Sequence, residues 1–161
     1  MKKDKRLTKV IVHLPNHWYL KGESLWARAL GRGLYEIKSI PFLAYDLNLG
    51  DVVRAKADSP DLKPEIRSLV RRSGNRTIRI IFNTTEQKRN QLLGVLKKMG
   101  VRHEGMNEGR YVTLNIPPDA DYEAIEEKLK DVRRRKVLSY ETCEPREVRS
   151  YDAAPPGKKR R

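Results

Sequence analysis

The chain has 161 residues, 38% of them hydrophobic and 35% charged, with a formal charge of +14, which suits one ordinary soluble domain or two very small ones with thin cores. No apolar run approaches the roughly 18 residues of a membrane helix, and the basic start "MKKDKRLTKVIVHLP" alternates polar with apolar residues before a proline, so neither a membrane span nor a secretory signal is expected and the expected location is the cytoplasm. A lone cysteine, Cys143, and three scattered histidines leave no intramolecular disulfide and no Cys/His zinc set to be written, and the Asn-X-Thr matches at Asn75 and Asn83 have no secretory context.

The charge is unevenly placed. Residues 1–7 contribute +3 and residues 153–161 contribute +4, leaving +7 for the rest. The sequence therefore divides into a basic tail (1–7), a folded body, and a tail (151–161) ending "AAPPGKKRR", too small, Pro-rich and cationic to order itself.

From Thr8 to Leu14 the alternation of Val10, Val12 and Leu14 with Lys9, Ile11 and His13 predicts a strand ended by Pro15. "ESLWARALG" and "GLYEIKSI" predict a hairpin turning at Gly31-Arg32-Gly33, where glycine supplies the needed backbone freedom. "GDVVRAKA" and "EIRSLVRRS", separated by the turn cluster "DSPDLKP", complete five short strands over residues 8–73. A set that small is expected to close as a small β-barrel-like unit, because open edges invite unwanted pairing.

At Ser73-Gly74-Asn75 the turn chemistry marks a second unit, residues 74–150. "RTIRIIF" is a strand; "NTTEQKRNQLLGVLKKMG" is a helix with Asn83 as expected cap, Glu86 as box partner, Gly100 as terminator and Leu92, Leu96 and Met99 as its apolar stripe. "VRHEGMNEGRYVTLNIPP" folds at Asn107-Glu108-Gly109 into a hairpin, Tyr122, Ile125, Leu129 and Val132 mark a second amphipathic helix, and "KVLSYETCE" is a closing strand. The order βαββαβ gives an α+β protein whose second unit is expected to be ferredoxin-like and packed against the barrel through the sheet face its helices leave bare.

The segment "SIPFLAYDLNLGDVV", residues 39–53, alternates Leu43, Tyr45, Leu47 and Leu49 with Ala44, Asp46 and Asn48, which predicts a pinned, half-buried extended strip. Phe42, Tyr45 and Leu47 are expected in the barrel or its junction, with Asp46 near solvent.

The runs "ESLWARALGRGLYEIKSIPFLAYDLNLGDVVRA", "SGNRTIRIIF" and "GMNEGRYVTLNIP" resemble the uncharacterised bacterial domain-of-unknown-function family 4265, the likeness covering residues 8–145. It implies family membership and no activity, cofactor or catalytic residue.

No nucleophile, base and orienting group can be assembled. His13 and His17 flank a proline after a strand, Asp46 and Asp51 sit at turn-like places, and Cys143 falls in a predicted strand, so no catalytic residue, metal or cofactor is assigned. Two surfaces remain. His17, Trp18, Tyr19, Trp26, Tyr45 and Asp46 could line a pocket or interface, with barrel core or an inter-unit contact the more ordinary use of the tryptophans. Arg67, Arg71, Arg72 and Arg76 and the run Arg133, Arg134, Arg135 and Lys136 could track phosphates, although such runs are ordinarily solvated faces. The third strand of the second unit offers only Tyr111 as an aromatic, a poor platform for stacking RNA bases. The expected function is non-catalytic: an adaptor or immunity-like module with a protein partner, or alternatively an RNA-binding protein using basic ends and arginine runs, with an enzyme as the remote third case.

Overall fold

The structure, a computed structural model, describes residues 7–15, 20–143 and 151. It forms two compact units, one within residues 1–73 that also takes in Tyr151, the other Gly74–Cys143.

Five strands make the first unit a closed barrel in the order β1-β2-β3-β4-β5: β1 Leu7–His13, β2 Gly22–Gly31, β3 Leu34–Ile37, β4 Val52–Lys56 and β5 Glu65–Arg71. Sequential neighbours are antiparallel, and the ring closes through a parallel bridge between Ile11 and Glu65, beside which the Ile11 N–H donates to the Pro64 carbonyl at 2.8 Å. The β2–β3 turn runs Gly31, Arg32, Gly33, all three at positive φ, so the two glycines relieve a strain that only Arg32 bears. Val10, Val12, Leu25, Ala27, Ile37, Val53, Ala55 and Ile66 point inward as the period-two pattern requires.

The second unit runs β6 Arg76–Phe82, α1 Glu86–Lys98, β7 Arg102–Met106, β8 Tyr111–Ile116, α2 Tyr122–Arg134 and β9 Leu138–Thr142. Its antiparallel sheet has the order β7-β8-β6-β9. Ile78, Ile80 and Phe82 of β6 and Val112, Leu114 and Ile116 of β8 share one core with Leu92, Leu93 and Leu96 of α1 and Ile125 and Leu129 of α2. Both helices therefore cover the same sheet face. The opposite face carries Thr77, Arg79, Thr113 and Asn115, none more than 3% exposed.

One cap differs from the sequence expectation. Thr85, in extended conformation, caps α1 by accepting the Lys88 N–H, while Asn83 is tied to the link between α2 and β9 instead, its N–H donating to the Val137 carbonyl at 2.7 Å. The run Asn83-Thr84-Thr85 offers three capping residues in a row, and the helix takes the last, so Glu86 stands at its first position and not at the box position three residues after the cap.

Residues 39–51 also depart from expectation. They contain no strand, and burial runs almost continuously through Ile40, Leu43, Ala44, Tyr45 and Leu47 instead of alternating. The segment bends at Asp46, whose φ of 55° lies in the left-handed region, so consecutive side chains can turn to one side. It is a compact loop packed on the barrel core, to which Leu43, Ala44 and Leu47 belong.

No helix among the described residues is long and apolar enough to cross a membrane.

Candidate functional site

A buried loop without a ladder must find other partners for its backbone. Residues 42–44 find one in Glu23. Its Oε1 accepts the Phe42 N–H at 2.6 Å, and its Oε2 accepts the Leu43 and Ala44 N–H groups at 3.0 Å each. Leu25 and Ala27 face the barrel interior, so alternation along β2 places Glu23 on the same side, at the barrel mouth.

The far end of the loop is held by Asp51, 1% exposed. One oxygen accepts the Asn48 N–H at 2.9 Å and the other the Ser73 N–H at 2.8 Å, while the Ser73 hydroxyl donates to the Leu49 carbonyl at 2.7 Å. Burial pushes the Asp51 carboxyl above its ordinary range, with the Ser73 and Asn48 amides and the Arg72 charge opposing it.

Between these anchors, Arg72 forks onto Asp46, with Nη1–Oδ1 at 2.6 Å and Nη2–Oδ2 at 2.9 Å. Asp46 lies near solvent as expected, but its side chain is only 14% exposed because the 57% exposed Arg72 lies across it in a bidentate surface ion pair. That hydrogen bond raises the Arg72 pKa further above its usual range. Both aspartates are thus engaged in holding the loop.

Tyr151, assigned from sequence to the basic tail, also belongs here. Its carbonyl accepts the Tyr45 N–H at 2.8 Å and its ring packs on the barrel core. Burial, then the charges of Asp46 and Asp51, push its phenol above the ordinary tyrosine range.

Of the residues expected to line a pocket or interface, His17, Trp18 and Tyr19 lie outside the described residues. Tyr45 and Asp46 sit in the loop just described. Trp26 stands apart on the outer barrel wall, 48% exposed, with the Lys9 ammonium 4.9 Å from its ring centre. It is therefore not core. Leu7 and Leu30 are exposed on the same two strands, Lys9 pairs across from Trp26, and Lys38 follows on the β3 side, where its N–H donates to the Trp26 carbonyl.

The arginines separate into local engagements. Arg67 pairs with Asp58 at 3.2 Å and with Glu65 at 3.8 Å, and Arg72 is spent on Asp46. In the second unit, Arg76 lies over the Tyr122 ring at 3.4 Å, Arg133 over Tyr140 at 4.7 Å, and Arg134 and Arg135 both reach Asp131. Tyr122 and Arg133 stand at opposite ends of α2, about 16 Å apart at a rise of 1.5 Å per residue, so Arg76 does not join the cluster at the other end. Arg71 and Lys136 are exposed.

His13 Nε2 meets Glu65 at 3.4 Å, Cys143 is buried just beyond β9, and no group of three His, Cys, Asp or Glu side chains suited to a metal occurs among the described residues. Sequence reasoning missed Glu23, Asp51 as a buried anchor, and Tyr151. For Glu23 a signal existed, since a carboxylate in phase with Leu25 and Ala27 must face inward and be satisfied there.

The chain belongs to DUF4265, a domain of unknown function, which it matches over residues 23–140. A hypothetical protein of known crystal structure from Neisseria gonorrhoeae is similar in fold, with a TM-score of 0.73 and 21% identity over 86% of this chain and 94% of that one. No curated protein matches the chain.

Proposed function

We propose that the protein is a non-catalytic binding module that recognises a protein partner through the outer wall of β1 and β2, and that its second unit is a ferredoxin-like βαββαβ element. The observation that carries the first reading is Trp26, half exposed on β2 under the Lys9 ammonium, with Leu7 and Leu30 exposed further along the same two strands. A large aromatic left open on an outer strand is a natural interface hot spot, where tryptophan and arginine contribute most of the binding energy. The Lys9 ammonium over the Trp26 ring favours a partner that presents an apolar side chain beside an acidic group, while the Lys38 ammonium is held by Glu36 at 3.1 Å. The strand order β7-β8-β6-β9, with β6 and β8 central and both helices on one face, supports the ferredoxin-like reading.

RNA is the competing partner. The arginines expected to follow phosphates are mostly occupied by acids or tyrosine rings, which weakens that case without touching the Trp26 wall.

Affinity capture from extracts of the native organism tests the reading, using the intact chain and Trp26→Ala as baits, each with and without RNase. The expected result is a discrete acidic protein retained through RNase treatment and reduced about tenfold or more by Trp26→Ala, the loss typical of a hot-spot tryptophan. Capture that vanishes with RNase, or that ignores Trp26→Ala, overturns it.

A further inference from the structure

We infer that the loop end of the barrel is a docking socket for a tyrosine-bearing chain, and that Tyr151 fills it in cis. This goes beyond the partner surface at Trp26 and uses different residues.

Three components make the socket. The Tyr45 N–H is the donor, bonded to the Tyr151 carbonyl at 2.8 Å. The floor is the barrel core, on which Phe42 and the Tyr151 ring both pack. The rim is the Asp46–Arg72 fork, locked at 2.6 and 2.9 Å and beside the buried Asp51. A main-chain hydrogen bond together with a side-chain pocket is how grooves recognise extended peptides: the backbone bond supplies affinity and the pocket supplies selectivity.

The socket is built independently of its occupant. Glu23 fixes residues 42–44 and Asp51 fixes residues 48–51 through bonds that do not involve Tyr151. Burial, and after it the charges of Asp46 and Asp51, disfavours a negative charge at the Tyr151 ring, in keeping with a seat for a neutral aromatic side chain. Cis occupancy follows from tethering, because a linked segment sees its site at an effective concentration in the millimolar range. Removing the aromatic anchor from the chain should leave the socket open to the same segment supplied in trans.

The test uses the full chain carrying Tyr151→Ala and a fluorescein-labelled peptide of residues 146–156, "REVRSYDAAPP", read by fluorescence anisotropy. The variant should bind the peptide at least about tenfold more tightly than the wild type, whose socket already holds Tyr151. The peptide with alanine in place of tyrosine should not bind, and unlabelled wild-type peptide should compete. If Tyr151→Ala does not fold, Tyr151→Leu, which keeps apolar bulk, is measured in its place. Equal binding to wild type and variant would place the peptide elsewhere and overturn the inference, as would no binding to either variant. Unfolding of both variants would show Tyr151 to be an indispensable part of the core, and would overturn it too.

Discussion

Glu23 Oε1 lies 2.6 Å from the Phe42 amide nitrogen, and the other oxygen of the same carboxylate holds the next two amides at 3.0 Å each. One side chain on β2 thereby does for residues 42–44 what a neighbouring strand would do by ladder pairing. This is why a segment rich in Leu, Ala and Tyr can bury itself on the barrel without being a strand: its backbone donors are satisfied from below, and its side chains are free of the two-sided period.

Glu23→Ala should cost about 3 kcal/mol in unfolding free energy, because charge-assisted bonds to part-buried amides are lost and those amides are left seeking water. Glu23→Gln should recover only part of this, since its NH2 group meets amide donors on one side. Urea denaturation measures both. A Glu23→Ala variant as stable as wild type would mean that water replaces the carboxylate without loss.

Asp51 gives the barrel a pH dependence of defined sign. Burial holds its folded pKa above the ordinary 3.8, so in the window from that value up to the folded value the native state binds more protons than the unfolded chain. Its contribution to stability is therefore present at low pH and lost as pH rises through the window. Asp51→Asn, neutral throughout, should remove that term while losing one amide acceptor. Plotted against pH between about 3.5 and 7, a range that brackets ordinary carboxylate titration, the stability difference between variant and wild type should shift in the variant's favour as pH rises. Parallel curves would refute the assignment.

How far the sequence reveals this protein depends on whether a feature is periodic. The strands around Val10 and Val12, Leu25 and Ala27, and Ile78 and Ile80, and the helices marked by Leu92 and Leu96 and by Ile125 and Leu129, repeat at two or at three to four residues and are legible at once. The 39–51 loop is not, because its alternation of Leu43, Tyr45 and Leu47 imitates a strand while the left-handed turn at Asp46 breaks the repeat. Trp26 is in phase with Lys9 and Arg28 on the outer wall, yet its bulk argues for a core position when periodicity is not applied to it individually. Tyr151 is invisible to local pattern altogether, since what positions it is a carbonyl accepting from Tyr45 a hundred residues away in sequence.

The second core yields a paired prediction. Leu129 is fully buried between α2 and the sheet, whereas Val95 on α1 is 42% exposed. Leu129→Ala should cost about 2 to 5 kcal/mol, transfer and cavity terms adding. Val95→Ala should stay within about 0.5 kcal/mol, as surface substitutions do. Equilibrium denaturation separates the two, and equal losses would mean that the helices do not pack through the stripe described.

Nucleic acid provides the last prediction, where charge distribution and side-chain engagement work together. Half of the formal charge of +14 lies in residues 1–7 and 153–161, while on the body Arg67 and Arg72 are paired with carboxylates, Arg134 and Arg135 share the single carboxylate of Asp131, and Arg76 and Arg133 lie over tyrosine rings. A guanidinium already balanced by an acid gains less from a phosphate, because the first pair must be disrupted. Thr113 and Asn115, on the sheet face that would have to stack bases, are nearly inaccessible. Any affinity for mixed RNA should therefore reside in the ends, be indifferent to sequence and fall steeply with salt, with a log-log slope of about 0.7 per phosphate contacted on a single strand. Removing residues 2–6 and 153–161 should abolish most of it and flatten the slope, and Tyr111→Ala should change nothing, where a stacking tyrosine would cost about 1 to 3 kcal/mol. Filter binding across a salt series decides the matter. Full affinity in the trimmed protein would assign a phosphate-binding face to the body, with exposed Arg71 and Lys136 the first positions to neutralise in locating it.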